Sequence, residues 1–358
     1  MVANKPLVLV TGATGFVGAH VVRHLLELSR YRVVIPVRSM AKSSYIKERY
    51  ASEIASKDLE MVSVADLSAP HALDDVLKRF QPEYIVHLAS PYFTTTNDPI
   101  KDLVQPAVGA TRNVMTSALE YGAPALKRFT LLSSFASVVD LSKNPRPGYT
   151  YTASDWDPVT EEQAAENGFF GYHASKTFAE RLAWDLHDHG LNKELPSPPT
   201  FGLVTLCPPM IYGPPIHYAP GHLMPKSIEE LNTSTARLIS GITGKDPAFT
   251  PRVATPGLPA WIDVRDIAKA IAGSLTLDPA RNERILLCGG VDYFEDGLGR
   301  LRTQNISGLG DPGDKCDPSN HFDIDRTKMR DVLNLQETIP FEKTVEDTFN
   351  AVRGMSLV

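Results

Sequence analysis

The stretch Thr11 to Gly18, T-G-A-T-G-F-V-G, constrains this chain more than any other. It follows the apolar run Leu7-Val8-Leu9-Val10 and leads directly into an amphipathic stretch, Ala19 to Leu28. A strand, a tight glycine turn and a helix start are what a bound pyrophosphate needs, because the free N–H groups of a helix N-terminus attract anions. Gly12 can take backbone angles that a β-carbon would block. Gly15 lets the main chain approach the phosphates, and Gly18 lets the helix lie close on its strand. The spacing is G-x-x-G-x-x-G rather than the commoner G-x-G-x-x-G. A plain strand–helix corner has similar local chemistry. The preceding strand, the following helix and the N-terminal position favour a dinucleotide site.

The rest of the chain repeats the pattern. Short apolar runs recur at 32–37, 61–64, 84–88, 128–133 and 202–207, with helical patterns at 17–28, 71–80, 99–121 and 172–189 between most of them. Strands alternating with helices predict an α/β fold, a doubly wound parallel sheet of Rossmann type. Two segments break the rhythm. Residues 140–170 are polar and turn-rich, with a capping box at Thr160-Glu161-Glu162-Gln163. Residues 208–258 open with a dense Pro/Gly cluster, after which the α/β pattern resumes with a strand near 261–264, a helix at 264–276, a strand at 284–288 and a helix at 341–353. The expected organisation is a nucleotide-binding domain at 1–207 and 262–290, and a smaller substrate lobe at 208–261 and 291–358.

At the end of the second strand an acidic residue would bond a ribose 2′-hydroxyl, whereas cations suit a 2′-phosphate. This chain reads Val37-Arg38-Ser39-Met40-Ala41-Lys42 there, with no acid and two cations. Arg38 and Lys42 therefore point to NADPH rather than NADH, against the plainer reading of two solvated surface charges. Asp66-Leu67, after the third run, is placed to flank the adenine.

The chemistry centres on Tyr172-His173-Ala174-Ser175-Lys176. Tyr172 and Lys176 lie four apart on one helical face. An ammonium beside a phenol favours the phenolate and lowers the phenol pKa from its reference of about 10, which suits Tyr172 to general acid work. Y-x-x-x-K occurs by chance in many helices. Ser133-Ser134 add to it by ending the fifth strand, at the edge where such sheets bind ligands. A serine hydroxyl there can hold a carbonyl oxygen beside Tyr172; its plainer role is to cap the strand end.

With these residues in view the chain resembles an extended short-chain dehydrogenase/reductase. More narrowly, it is similar to the branch holding dihydroflavonol reductases, cinnamoyl-CoA reductases and the yeast and fungal aldehyde/ketone (methylglyoxal-type) reductases. The resemblance runs through T-G-A-T-G-F-V-G, V-R-S-M-A-K at 37–42, V-H-L-A-S-P at 86–91, P-A-V-G-A-T-R-N-V at 106–114 and L-L-S-S at 131–134. It continues through D-W-D-P at 155–158, Y-H-A-S-K, C-P-P-M-I-Y-G-P at 207–214 and W-I-D-V-R-D at 261–266. It implies that Ser134 polarises a carbonyl, Tyr172 donates the proton, Lys176 tunes Tyr172 and bonds the nicotinamide ribose, and Asn113 supports a proton relay. It implies further that Gly12, Thr14, Gly15, Phe16 and Val17 bind the cofactor, and that Ala89, Ser90, Pro91 and Pro208 line it. Val139 stands where flavonoid reductases carry an Asn, and G-F-F-G-Y-H-A-S-K differs from the N-W-Y-C-Y-G-K of cinnamoyl-CoA reductases. The fungal carbonyl reductases are the nearer match.

Candidate substrate-pocket residues are Tyr92, Phe93, Phe135, Phe170, Pro209 and Tyr212, each of which also suits ordinary core. His173 is expected to point elsewhere on its helix, and His187 and His189, two apart, face different sides. His217 and His222 have the reach for a substrate, and no metal site is expected. Three separated cysteines, Cys207, Cys288 and Cys316, form no C-x-x-C pair and fit a reducing, cytoplasmic setting. A net charge of −6 offers no global field for nucleic acid or anionic lipid, and no signal peptide or membrane span is expected. The expected function is NADPH-dependent reduction of a small carbonyl compound to an alcohol, by a monomer or homodimer. The alternatives are a nucleotide-sugar epimerase or dehydratase, disfavoured by the missing acid after the second strand, and a non-catalytic NADP-sensing protein, disfavoured by the retained Tyr and Lys.

Overall fold

The apolar runs pair side by side because their burial is two-sided. In the computed structural model they form β1 (Leu7–Thr11), β2 (Arg32–Val37), β3 (Leu59–Ser63), β4 (Tyr84–His87), β5 (Arg128–Leu132), β6 (Gly202–Cys207) and β7 (Glu283–Leu286). The residues described are 5–41, 43–90, 96–191, 199–218, 224–244, 259–304, 306, 308–311, 315 and 317–357. The sheet order is β7-β6-β5-β4-β1-β2-β3, and every neighbouring pair is parallel. Strands covered on both faces need continuous apolar runs rather than alternation, and β1, β4, β5 and β6 are buried along their whole length.

Helices Phe16–Glu27 and Val264–Thr276 pack Val21, Val22, Leu25, Ile267 and Ile271 onto one face. Helices Gln105–Tyr121 and Gly168–His189 pack Val114, Met115, Ala118, Ala183 and Leu186 onto the other. The chain winds outward in both directions from the β1/β4 pair, so the crevice beyond their C-terminal ends is the topological switch point. Two short helices, Ser44–Arg49 and Ala51–Ala55, follow β2, where the sequence pattern shows none.

A second layer sits beyond that edge. Strands Met210–Tyr212, Ala260–Asp263 and Gly290–Val291 make a three-stranded sheet. Helices Thr233–Thr243 and Phe341–Arg353 pack on it around Tyr212, Trp261, Phe294 and Phe341. Trp261 belongs to this lobe cluster, while its neighbour Ile262 belongs to the main core. The segment 291–358 is shared rather than confined to the lobe, because Met329, Leu333 and Leu335 pack into the main core. The polar insertion is pinned by tertiary pairing: Thr150–Tyr151 runs parallel to Asp323–Ile324. Its capping box forms, with Thr160 Oγ1 accepting from the Gln163 N–H at 3.3 Å and Gln163 Oε1 accepting from the Thr160 N–H at 3.0 Å.

Candidate active site

The glycine turn is sterically determined. Gly12 has φ +72°, and a Cβ there would lie 2.8 Å from the Ala89 backbone nitrogen. A Cβ on Gly18 would lie 2.2 Å from the Gly12 carbonyl oxygen, so the helix approaches its strand as closely as only glycine permits. Gly15 caps that helix without a side-chain hydrogen bond, and no acidic residue occupies the first turn. The leading N–H groups are therefore available to an anion. Gly12, Gly15, Phe16, Val17 and Gly18 line one end of a cavity of about 870 Å³, and Ser134, Tyr172 and Lys176 line it further along.

Ser134 follows β5 in extended conformation and caps the tight turn Phe135–Ser137, its Oγ accepting from the Ala136 N–H at 3.1 Å. Tyr172 sits in the first turns of Gly168–His189, a helix capped by Asn167, whose side chain accepts from the N–H groups of Phe169 and Phe170. The Tyr172 hydroxyl donates to Ser134 Oγ at 3.3 Å. Lys176 Nζ lies 5.9 Å from the centre of the Tyr172 ring. Burial pushes the Lys176 ammonium down to about 8, although the Glu180 carboxylate and Cys207 pull the other way.

Glu180 is the residue that sequence reading missed. It continues the Tyr172–Lys176 face by one more step of four, and that spacing was the available signal. It is fully buried and paired with Arg284, Nε to Oε1 at 2.8 Å. The hydroxyls of Ser133 and Ser137 each approach Glu180 Oε2 at 2.6 Å. Burial raises the Glu180 pKa, but Arg284 and the two hydroxyls outweigh it and hold the carboxyl below its ordinary value. Arg284 also donates to the Ser137, Ala153 and Asp155 carbonyls and lies 3.7 Å over the Trp156 ring. The ion pair thus ties the helix, the Ser134 turn and the D-W-D-P turn together. Behind it, a void of about 10 Å³ touches His87, Ala89, Ser90, Thr111, Lys176 and Glu180, the size of a single water.

The other candidates divide. Ser90, Phe135, Pro208 and Pro209 lie on the wall of the large cavity. Phe135 is also stacked on Phe322 at 5.5 Å, so it serves core and wall together. Thr14 stands in the turn between Gly12 and the helix. Arg38 and Asp66 are exposed at the ends of neighbouring strands; hydrogen bonds from Ser68, with Arg38 contributing, hold the Asp66 carboxyl below its ordinary value. Leu67 packs on the core under the helix Gln105–Tyr121.

Asn113, the expected relay residue, uses its side-chain amide to bridge to the segment after β3. Its amide donates to the Ser68 and Leu67 carbonyls at 2.7 and 3.4 Å, fastening the segment after β3 to its helix. Phe170 is off the cavity wall, and Phe169 stands there instead. Tyr212 is 1% exposed between Phe294 and Phe341 in the lobe core. His173 does not point away: it is on the same cavity wall, its ring 6.3 Å from that of Tyr172. His217 packs on Phe16 and Tyr218. His187 and His189 engage Asp188 and Asp185 separately. Lys42, Pro91, Tyr92, Phe93, His222 and Cys316 lie outside the described residues. Among the described residues no helix is long and apolar enough to cross a membrane.

A parallel sheet in this order, with a glycine turn at its switch point, defines a Rossmann-type fold, and Ser134, Tyr172 and Lys176 stand together at the next strand end on its ligand edge. The chain belongs to the NAD dependent epimerase/dehydratase family, whose sequence pattern matches residues 8–289. It is 38% identical to a putative uncharacterized oxidoreductase of Schizosaccharomyces pombe, over 80% of this chain and 78% of that one. It is 31% identical to the putative NADPH-dependent methylglyoxal reductase GRP2 of Candida albicans, over 98% of this chain and all (100%) of the relative. The crystal structure of yeast methylglyoxal/isovaleraldehyde reductase Gre2 complexed with NADPH superposes with a TM-score of 0.83 at 25% identity, covering 98% of this chain and 100% of that one.

Proposed function

We propose that this chain is an NADPH-dependent carbonyl reductase that converts aldehydes or ketones to alcohols. The observation that carries the reading is the Tyr172 hydroxyl donating to Ser134 Oγ, with Lys176 one turn away, on the wall of a cavity whose other end is the glycine turn. The cofactor fits this chain's residues. Gly12 and Gly18 stand where a β-carbon would collide with backbone, the first helical turn presents free N–H groups, and Arg38 stands exposed at the end of β2 for a 2′-phosphate. NADPH-dependent relatives of this length support the same choice. When bound, NADPH supplies the hydride that adds to the carbonyl carbon.

The remaining roles belong to the chain. Ser134 Oγ turns its hydrogen toward the substrate oxygen and polarises the carbonyl. Tyr172 gives its phenolic proton to the oxygen as negative charge develops there. Lys176, charged and desolvated, stabilises the phenolate left behind. Glu180 holds the Ser133–Ser137 turn in place and keeps a counter-charge near Lys176. Two free buried thiols, Cys207 and Cys288, fit a reducing compartment such as the cytoplasm, where the chain would act as a monomer or homodimer.

The test is loss of NADPH absorbance against a panel of aldehydes, diketones, aryl ketones and a nucleotide sugar. Turnover of the carbonyls is expected, and Tyr172→Phe should lower it by about 10²–10⁴-fold while NADPH fluorescence still reports binding. Conversion of the nucleotide sugar without net NADPH loss would replace this reading with the epimerase one. NADPH binding with no turnover of anything would replace it with the sensor.

A further inference from the structure

His173 is an imidazole on the cavity wall that this mechanism leaves unused. The residue is 3% exposed, and Nδ1 lies 2.8 Å from Asp157 Oδ2. Asp157 is itself buried, at 4% exposure, and both of its oxygens are engaged: Oδ1 accepts from the Val159 N–H at 2.9 Å. Its backbone N–H donates to the Ser137 carbonyl at 2.9 Å, so the His–Asp pair is referenced to the turn that presents Ser134. Phe169 packs on the imidazole with ring centres 4.7 Å apart, and Phe169, Tyr172 and His173 share the wall.

A carboxylate only accepts hydrogen bonds. With one ring proton, His173 carries it on Nδ1 opposite Asp157 and offers Nε2 as a lone-pair acceptor. Among the described residues Nε2 has no protein partner. An acceptor held by Asp157, on a residue of the wall that also carries Tyr172 and Ser134, is a second recognition point, one that a plain ketone leaves unsatisfied.

Resting on the reductase reading, we propose that His173 Nε2 accepts a hydrogen bond from a hydroxyl group on the carbon next to the substrate carbonyl, so that the site takes α-hydroxy ketones and aldehydes in preference to their plain alkyl counterparts. His173 is then a specificity-determining residue, and Asp157 positions it.

The test compares hydroxyacetone with 2-butanone, which replaces the hydroxyl by a methyl group. The substitution His173→Asn keeps an N–H for Asp157 and removes the Nε2 acceptor. It should lower the hydroxyacetone/2-butanone ratio of kcat/KM by about 10–100-fold. Asp157→Asn offers Nδ1 a donor, turns Nε2 into the N–H position, and should move the preference from hydroxyacetone toward 2,3-butanedione. Equal losses for both substrates in His173→Asn would show a packing role and overturn the proposal. If the wild type reduced no carbonyl at all, the reductase reading would fall first. The His173 assignment is then read from the ¹⁵N resonance of Nε2, which should shift on titration with 1,2-propanediol and not with 2-butanol. The same response to both alcohols would overturn it.

Discussion

Replacing Glu180 with Gln tests the buried network beneath the site. The side chain keeps its size and one carbonyl oxygen, but the charge opposite Arg284 is gone, and Arg284 is only 8% exposed. Both the Ser133 and Ser137 hydroxyls lose the Oε2 acceptor they share at 2.6 Å. Removing one partner of a buried pair costs about 3–5 kcal/mol; with one acceptor retained, the lower end, about 3 kcal/mol, applies. Unfolding entropy near 2.1 cal/mol/K per residue over 358 residues is about 0.75 kcal/mol/K, so Tm should fall by about 4 °C.

The same change moves the pH profile. Lys176 is held at about 8 by burial, with Glu180 opposing the fall. The groups around it are Tyr172 and Glu180 on its own helix, His87 on β4, Ser133 after β5, Cys207 on β6 and, behind Glu180, Arg284 on β7. Of these Glu180 carries the negative charge, because burial pushes the Cys207 thiol up to about 12. Activity that needs charged Lys176 is present below its pKa and lost as pH rises through it, so Glu180→Gln should move the alkaline limb to lower pH. Differential scanning fluorimetry and kcat from pH 6 to 10 measure the two effects. The double variant Glu180→Gln/Arg284→Met relieves the orphaned guanidinium but leaves the Ser137, Ala153 and Asp155 carbonyls without their donor, so its Tm should stay below wild type, and the limb should not return because Lys176 gains no partner. A single variant with Tm within 1 °C of wild type and a superimposable limb would refute this account.

Arg38→Glu should weaken NADPH far more than NADH in fluorescence titration, and equal losses would remove Arg38 from the 2′-phosphate. Gly18→Ala, whose Cβ would meet the Gly12 carbonyl at 2.2 Å, should lower both Tm and NADPH affinity; Gly15→Ala, with nothing nearer than 3.4 Å, should spare Tm and weaken NADPH alone, and the two melts with their binding curves check the distinction. Burial lowers His20 and His217 from 6.5 to about 4 and His87 to about 3, so the unfolded chain binds protons there that the native one does not. Stability should be complete above about 6.5 and drain as pH falls toward 4, by up to about 1.4 kcal/mol per pH unit for each histidine, seen as a falling urea midpoint.

What could be read from the chain alone was what short-range periodicity and backbone sterics control. The glycine turn, the six apolar runs through Cys207, the helix at 264–276, the capping box at Thr160 and the terminal helix at 341–353 are all local, and all stand where the pattern puts them. The grouping of Tyr172, Lys176 and Ser134 on one cavity wall was legible because a spacing of four and a strand end are one-dimensional facts. The ordered family motifs carried the cofactor and reaction class on the same basis.

Tertiary structure decided whatever depends on which distant segments meet. Ser133, Glu180 and Arg284 lie 47 and 104 residues apart yet share one buried charge. Phe169 rather than Phe170 reaches the cavity, because Asn167 starts the helix and sets its phase. Tyr212 is drawn into the lobe core by Phe294 and Phe341 from the C-terminal part of the chain. Asn113 is claimed by the Ser68 carbonyl, and His173 is turned onto the cavity wall by Asp157, sixteen residues before it. Local patterns name the groups that can do chemistry; the long-range contacts, invisible to spacing, set which way those groups point and what charge stands beside them.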